Sequence, residues 1–589
     1  MDADQDRRAR LAEGLTLLGA LGVRVAAWRS IGKTPYADNP LVDAYTYWDQ
    51  ARALLNGQDP FAEGFYQPPG YPWLLAAVFR LAGGEADPAV GRALNLALGL
   101  LTTALVMLCG RALARRLQGP WWAGALAGAV YTLYPSTLLF ELDLLTPAVS
   151  NALFTGALAL VLLGERPGWG RTGASGLLIG LAAMVHPTVL IAAPVFAGVL
   201  WLSGGGGARA AVWLLGLALG VAPTAWINQT RWGQTALVSH NAGINFYLGN
   251  NPDWKTTAFL RPGLPFRALV LEADPGARDT FTRNDYWRER ALSEIRGDPG
   301  AWVGTMLTKA VWSVNNREIP RNEDYRCRTA DGPMAWLGWL PVRYGPTLPF
   351  AALGALVLLA DPRRRASVIP MAWASLQIGM ILFLVSDRYR VSTWPLVSLC
   401  AAVGAGELAR RWPARALPPR GWVVVVGLAA VAPWLPIDRI TAFSPGWCWH
   451  QKGNFALQES DWAEAERWYR KAVEREPDNI GAWHWLGTAL VRLDRPDEAI
   501  EAFDRVLRDF PLSYSTLMAA AETEHDRKRY AEEAEYLGKA CEVPGPRDST
   551  CARFVQALVA AGQRERALAF LQQHPELEDH PRVKRAFKR

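Results

Sequence analysis

Asp43, Glu141 and Asp143 are carboxylates at the ends of apolar stretches, and His186, Lys309, Arg388 and Arg390 are nitrogen donors in comparable positions. Charge near membrane depth is costly and therefore points to function. A carboxylate can take the proton of an attacking hydroxyl. The planar fork of arginine suits phosphate, and cations beside a leaving phosphate stabilise the charge that develops on it. Together these types fit transfer of a sugar from a polyprenyl-phosphate donor to an acceptor hydroxyl. Each residue also has a plainer role. Asp43 opens "DAYTYWDQARALLNG" and could cap that helix. Glu141 and Asp143 could be a solvated turn, and Arg388 and Arg390 in "SDRYRVSTWP" could snorkel to headgroups. His186, Arg231, His240 and Lys309 could each join the arginines at the same phosphate.

These residues must be positioned by membrane helices. Half of the 589 residues are hydrophobic, and the apolar runs stop near residue 440. About eleven runs approach the length needed to cross a bilayer: 11–28, 89–110, 121–140, 144–164, 173–185, 187–202, 210–227, 343–360, 368–385, 391–408 and 421–436. The first is interrupted by Glu13 and Arg24. Threaded alternately from a cytoplasmic N-terminus, they place Arg111, Arg115 and Arg116, Arg166 and Arg171, Arg209, Arg363 to Arg365, and Arg410, Arg411, Arg415 and Arg420 on the cytoplasmic side. Counting 173–202 as two passes bent at His186-Pro187 is what keeps every basic cluster inside. The outer face then carries the loops 29–88 and 228–342, the turn at 141–143, His186 and a short turn at 386–390. Segments 71–82 and 299–314 are apolar but short, and are expected along the outer interface. The net charge of +7 comes from these clusters rather than from one basic face, which argues against nucleic acid.

The tail is different. "WHQKGNFALQESDWAEAERWYRKAVEREPDN" and "WHWLGTALVRLDRPDEAIEAFDRVLRDFPLS" align at a period of 34 residues, matching Trp449 with Trp483, Gly453 with Gly487, Ala465 with Ala499, Tyr469 with Phe503 and Pro477 with Pro511. This is the tetratricopeptide pattern, and weaker units follow near 514–547 and 548–581. Such solenoids present a binding surface for protein partners. The fold class expected is therefore all-α: a polytopic domain over 1–440, then a repeat solenoid over 446–589. In a bacterium the chain would lie in the inner membrane with the repeats in the periplasm. Cys109 and Cys400 read as packing residues, and Cys541 with Cys551 as a candidate bridge in an oxidising compartment. No spacing suggests zinc, a Gly-rich phosphate loop or a nucleophile elbow.

The aspartate before an aromatic helix, "YQPPGYPWLLA", "MVHPTVLIAAP", "GINFYLGNNP", "DPGAWVGTMLTKAVWSVNNREIP" and "SDRYRVSTWP" occur in an order that resembles the C-type membrane glycosyltransferases. The nearest group is the bacterial relatives of protein O-mannosyltransferases and lipid A aminoarabinose transferases, over about 30–400. The resemblance implies Asp43 as catalytic base and Glu141 or Asp143 as the acid of the second external loop. It implies Arg388 and Arg390 as the phosphate-binding turn. Tyr66 and Tyr71 would stand beside the sugar, and Asn245 and Tyr247 of "GINFYLGNNP" would line the substrate pocket. Two departures are visible: Asp43 is followed by Ala44 where many mannosyltransferases have a second acid, and His186 stands where relatives commonly have arginine. A divalent cation would need Asp43 to meet Glu141 or Asp143. The competing readings are a non-catalytic repeat scaffold of an envelope assembly and, ranked last, a transporter.

Overall fold

The computed structural model describes residues 3–164, 167–260, 266, 269, 280–321, 324, 326–330, 332–361, 365–414, 417–438, 444–543 and 548–588. Among them the secondary structure is helical, without strands. Arg166, Arg363, Arg364 and Arg415 of the expected basic clusters lie outside the described residues. The chain forms two compact units, Met1–Phe259 with Asp279–Ala442, and Leu260–Arg278 with Phe443–Arg589.

The first unit begins with α1 (Ala3–Ile31), α2 (Asp43–Leu55), α3 (Gly70–Leu81), α4 (Pro88–Leu117), α5 (Ala123–Thr132), α6 (Pro135–Leu142), α7 (Pro147–Leu162), α8 (Trp169–Val185), α9 (Ala193–Leu200) and α10 (Gly206–Trp232). Seven helical segments are long and apolar enough to cross a membrane, eight if α5 and α6 count as one bent span. This marks an integral membrane protein. All eleven expected runs are helical. Pro147–Leu162, Trp169–Val185 and Arg420–Trp434 are apolar but short. The run 121–140 is not one straight helix: α5 and α6 meet at 58°, because Pro135 cannot donate to the preceding turn. The chain likewise leaves the helix at His186 (φ −147°, ψ 87°), ending α8 before Pro187. The expected turn at 386–390 is instead the start of a helix, Asp387–Arg411.

Close approach of small residues holds the bundle together. A Cβ on Gly176 would stand 1.9 Å from the Trp213 carbonyl, and one on Gly216 2.1 Å from that of Gly173. Gly176 and Gly180 on α8 thus face Gly216 and Gly220 on α10 at the four-residue spacing that lets membrane helices touch backbone to backbone. Charges inside α1 are partnered across helices: Glu13 with Arg111 at 3.0 Å, and Arg24 with Glu141 at 2.8 Å.

The second unit stacks helical hairpins, from Pro445–Gln458 paired with Trp462–Arg475 to Asp548–Ala560 paired with Arg564–Gln573. The aligned residues explain each other. A Cβ on Gly453 would strike the Tyr469 ring at 2.6 Å, and one on Gly487 the Phe503 ring at 2.5 Å. The glycine is absent bulk that admits the aromatic ring of the second helix. Cys541 and Cys551 form a disulfide, and Cys109 and Cys400 are buried.

Candidate active site

The loop before α2 is strained where it delivers Asp43. Val42 has φ 52°, a conformation that a β-branched residue adopts only at a cost of about 1–3 kcal/mol. Asp43 is the first residue of α2, but its side chain does not cap the helix. It accepts from Arg388 and, at 3.2 Å, from Gln67 Nε2. Gln67 stands in the Pro68-Pro69 turn between α2 and α3, and α3 begins at Gly70, where a Cβ would meet the Met184 carbonyl at 2.6 Å. The turn is thus pressed against the end of α8.

Asp43 and Arg388 open onto a pocket of about 560 Å³, also lined by Asp143, Arg321, Arg328 and Asp387, with Leu139, Phe140 and Leu145 as apolar wall. Asp143 is held by Arg328, at 2.9 Å to Oδ1 and 3.1 Å to Oδ2. The Arg328 guanidinium lies 4.2 Å from the centre of the Tyr36 ring. Two acid–guanidinium pairs therefore share one cavity. Arg321 donates to the Ala258 carbonyl at 2.7 Å and to Asn245 Oδ1 at 3.4 Å, which brings Asn245 to the edge of the same group.

Behind Arg388 runs a short relay. Its Nη2 donates to Tyr47 Oη and to Thr146 Oγ1, both at 3.3 Å, and Thr146 Oγ1 is 3.3 Å from His186 Nδ1. Arginine can only donate, so Thr146 Oγ1 accepts from Arg388 and links it to the imidazole. Burial first, and the charge of Arg388 second, push His186 down to about 3, which keeps the ring neutral. Nε2 is buried and has no hydrogen-bond partner among the described residues.

Other expected residues are elsewhere. Glu141 is not on the pocket: both its oxygens accept from Arg24. Arg390 also turns away, because residues two apart on a helix do not share a face. It is fully buried against Glu318 at 3.5 Å, the Trp312 carbonyl at 3.1 Å and the Arg317 carbonyl at 3.2 Å. Lys309 is buried in Pro299–Val314 and donates to the Phe383 carbonyl at 2.9 Å; burial pushes it down to about 7. Tyr71 is buried, its hydroxyl bonded to Asn95, with its ring edge-on to Tyr47. Tyr66 is 41 % exposed in the turn that leads to Gln67, and Tyr247 packs on Trp287. Arg231 pairs with Asp59, and His240 is 3.2 Å from Asn228 Oδ1. The pocket gains Arg321, Arg328 and Asp387, which the sequence reading passed over. Asp387 stands inside the quoted "SDRYR", and the two arginines are basic residues in a loop assigned to the outer face.

For a divalent cation, Asp43 and Asp143 share the pocket, but each faces a guanidinium and Glu141 is absent from it. Among the described residues no group of three or more His, Cys, Asp or Glu side chains is arranged to hold a metal ion. The carboxylates present do not make a fitting ligand set.

A tetratricopeptide repeat model matches residues 456–521. No curated protein matches the chain by sequence. Among solved structures, ArnT from Cupriavidus metallidurans bound to undecaprenyl phosphate is similar at 16 % identity and a TM-score of 0.37, covering 88 % of this chain and 79 % of that one. The same protein in the apo state is 17 % identical with a TM-score of 0.35 and the same coverage. MamA residues 41 to the end from Desulfovibrio magneticus RS-1 is 16 % identical with a TM-score of 0.21, covering 30 % of this chain and 96 % of that one.

Proposed function

We propose that this chain is a membrane glycosyltransferase that moves a sugar from a polyprenyl-phosphate donor to an acceptor hydroxyl on the outer leaflet. The observation that carries the reading is the Asp43–Arg388 pair on a pocket shared with Asp143 and Arg328. Arg388 pairs with Asp43. A donor phosphate would take the same fork, leaving the Asp43 carboxylate to face the acceptor hydroxyl. Asp43 takes the acceptor's proton while the acceptor oxygen attacks the anomeric carbon. The bond from that carbon to the phosphate oxygen breaks, and the lipid phosphate leaves with the electron pair, its charge met by Arg388 and Arg321. The product has inverted anomeric configuration.

A second pocket of about 450 Å³ lies against Tyr389, walled by Phe154, Val189, Leu376, Met380 and Leu384. Arg388 and Tyr389 are consecutive and line different pockets, so the first isoprenyl units would rest beside Tyr389 while the phosphate stays on Arg388. The disulfide supports an extracytoplasmic repeat unit, periplasmic if the source is bacterial. There the repeats would recruit the acceptor or a protein partner.

The test is transfer by purified protein in detergent, with a panel of polyprenyl-phosphate sugars and an envelope extract as acceptor, comparing wild type with Asp43→Asn. Transfer that depends on Asp43 is expected. Full activity in the variant, or none in the wild type across the panel, overturns the proposal.

A further inference from the structure

The turn that presents Asp143 is gripped at three consecutive residues. Arg24 on α1 donates through Nε and Nη2 to the two oxygens of Glu141, both at 2.8 Å. Arg92 on α4 donates to the Leu142 carbonyl at 2.9 Å. Asn95, one helical turn along, donates to the Asp143 carbonyl at 2.6 Å. Only then does the Asp143 side chain reach Arg328. The Arg24 and Glu141 side chains are 3 % and 2 % exposed, and α4 makes room for the carboxylate at Gly99, where a Cβ would stand 2.1 Å from it.

A buried ion pair is a poor way to gain stability, since two apolar side chains of similar size commonly do as well or better. What the bidentate fork supplies is direction: it sets both the rotation of α6 and its height along α1. We infer that Arg24 and Glu141 are positioning residues, a pair by which the first membrane helix aims the 141–143 turn so that Asp143 meets Arg328 on the wall of the pocket. Neither touches the pocket, and both Glu141 oxygens are engaged, so Glu141 is not the second acid of the reaction. The inference rests on the proposed glycosyl transfer and assigns to α1 a part in it.

The test is the double variant Arg24→Gln with Glu141→Gln, which removes both charges together and leaves neither unpaired. It is measured beside the wild type for thermal midpoint, donor KM and kcat. A near-wild-type midpoint and donor KM with kcat reduced at least tenfold is the expected result. A kcat within twofold of wild type overturns the inference and leaves the transferase reading standing. A wild type without transfer overturns both. Arg24→Lys gives a second measure should the double variant fail to insert: it keeps the charge but loses the fork. A severalfold fall in kcat at constant KM supports positioning, and unchanged kcat overturns it.

Discussion

The membrane unit and the repeat unit pair their charges in different ways. In the repeats the partners are local or one repeat apart. Arg470 holds Glu466 four residues away and Glu498 twenty-eight away, and Arg495 holds the same two acids. In the membrane unit Arg24 pairs with Glu141 117 residues away, Arg328 with Asp143 185 away, and Arg388 with Asp43 345 away. A solenoid is close to one-dimensional, since each repeat touches only its neighbours, and its ion pairs are partly exposed and individually weak. The bundle folds distant segments together, and these three pairs are sheltered, with side chains 2–21 % exposed, whereas pairs at its rim such as Arg231 with Asp59 stay exposed. Function that depends on one cavity belongs with the second kind of pairing, and modular binding with the first.

The contrast can be broken from either side. The largest effect is expected at Asp43: Asp43→Asn should lower kcat by about a thousandfold, the scale of a lost general base, with insertion unchanged by detergent gel filtration. Arg388→Lys keeps a charge but loses the fork, and should reduce kcat/KM for the donor by about a hundredfold. An equal loss from Arg470→Lys would mean the two classes of pair do not differ as described.

Gly487→Ala in the repeats should cost about 2 kcal/mol of repeat stability, because the new methyl strikes Phe503. It should leave kcat unchanged on a small soluble acceptor; a coincident loss of kcat would tie the repeats to the chemistry.

The smallest effect is pH-dependent. His484, bonded to Thr516 at 3.0 Å, is pushed by burial from an ordinary 6.5 to about 4. The unfolded chain then binds a proton that the folded one refuses. Stability is fully present above pH 6.5 and falls as pH drops toward 4, by about 1 kcal/mol at about pH 5.5. Thermal melts of the full chain followed by tryptophan fluorescence, wild type against His484→Gln, should show the variant's repeat transition losing less on acidification.

Part of the candidate pocket was legible as residue type. Asp43 and Arg388 stand out because charges beside apolar runs need a reason. The expected placement of Arg390 beside Arg388 came from reading 386–390 as a turn. As the start of a helix, the same residues send Arg388 to the pocket and Arg390 to Glu318. The pairing of Glu141 was not foreseen because Arg24 looked like an interruption of a weak span. An arginine inside an apolar helix already implies a buried acid, and Glu141 was an acid at the end of another such helix. Arg321 and Arg328 carried only a faint signal, basic side chains in a long outer loop.

By itself the sequence determined the apolar helices, the 34-residue repeat with its glycine and aromatic partners, and the kinds of group available for chemistry. These follow from composition and from periods of one helix or one repeat, which are local properties. Only the tertiary structure decided which acid meets which guanidinium. That choice depends on the 58° bend at Pro135, the helix start at Asp387 and the contact of segments 345 residues apart, and no local period encodes it.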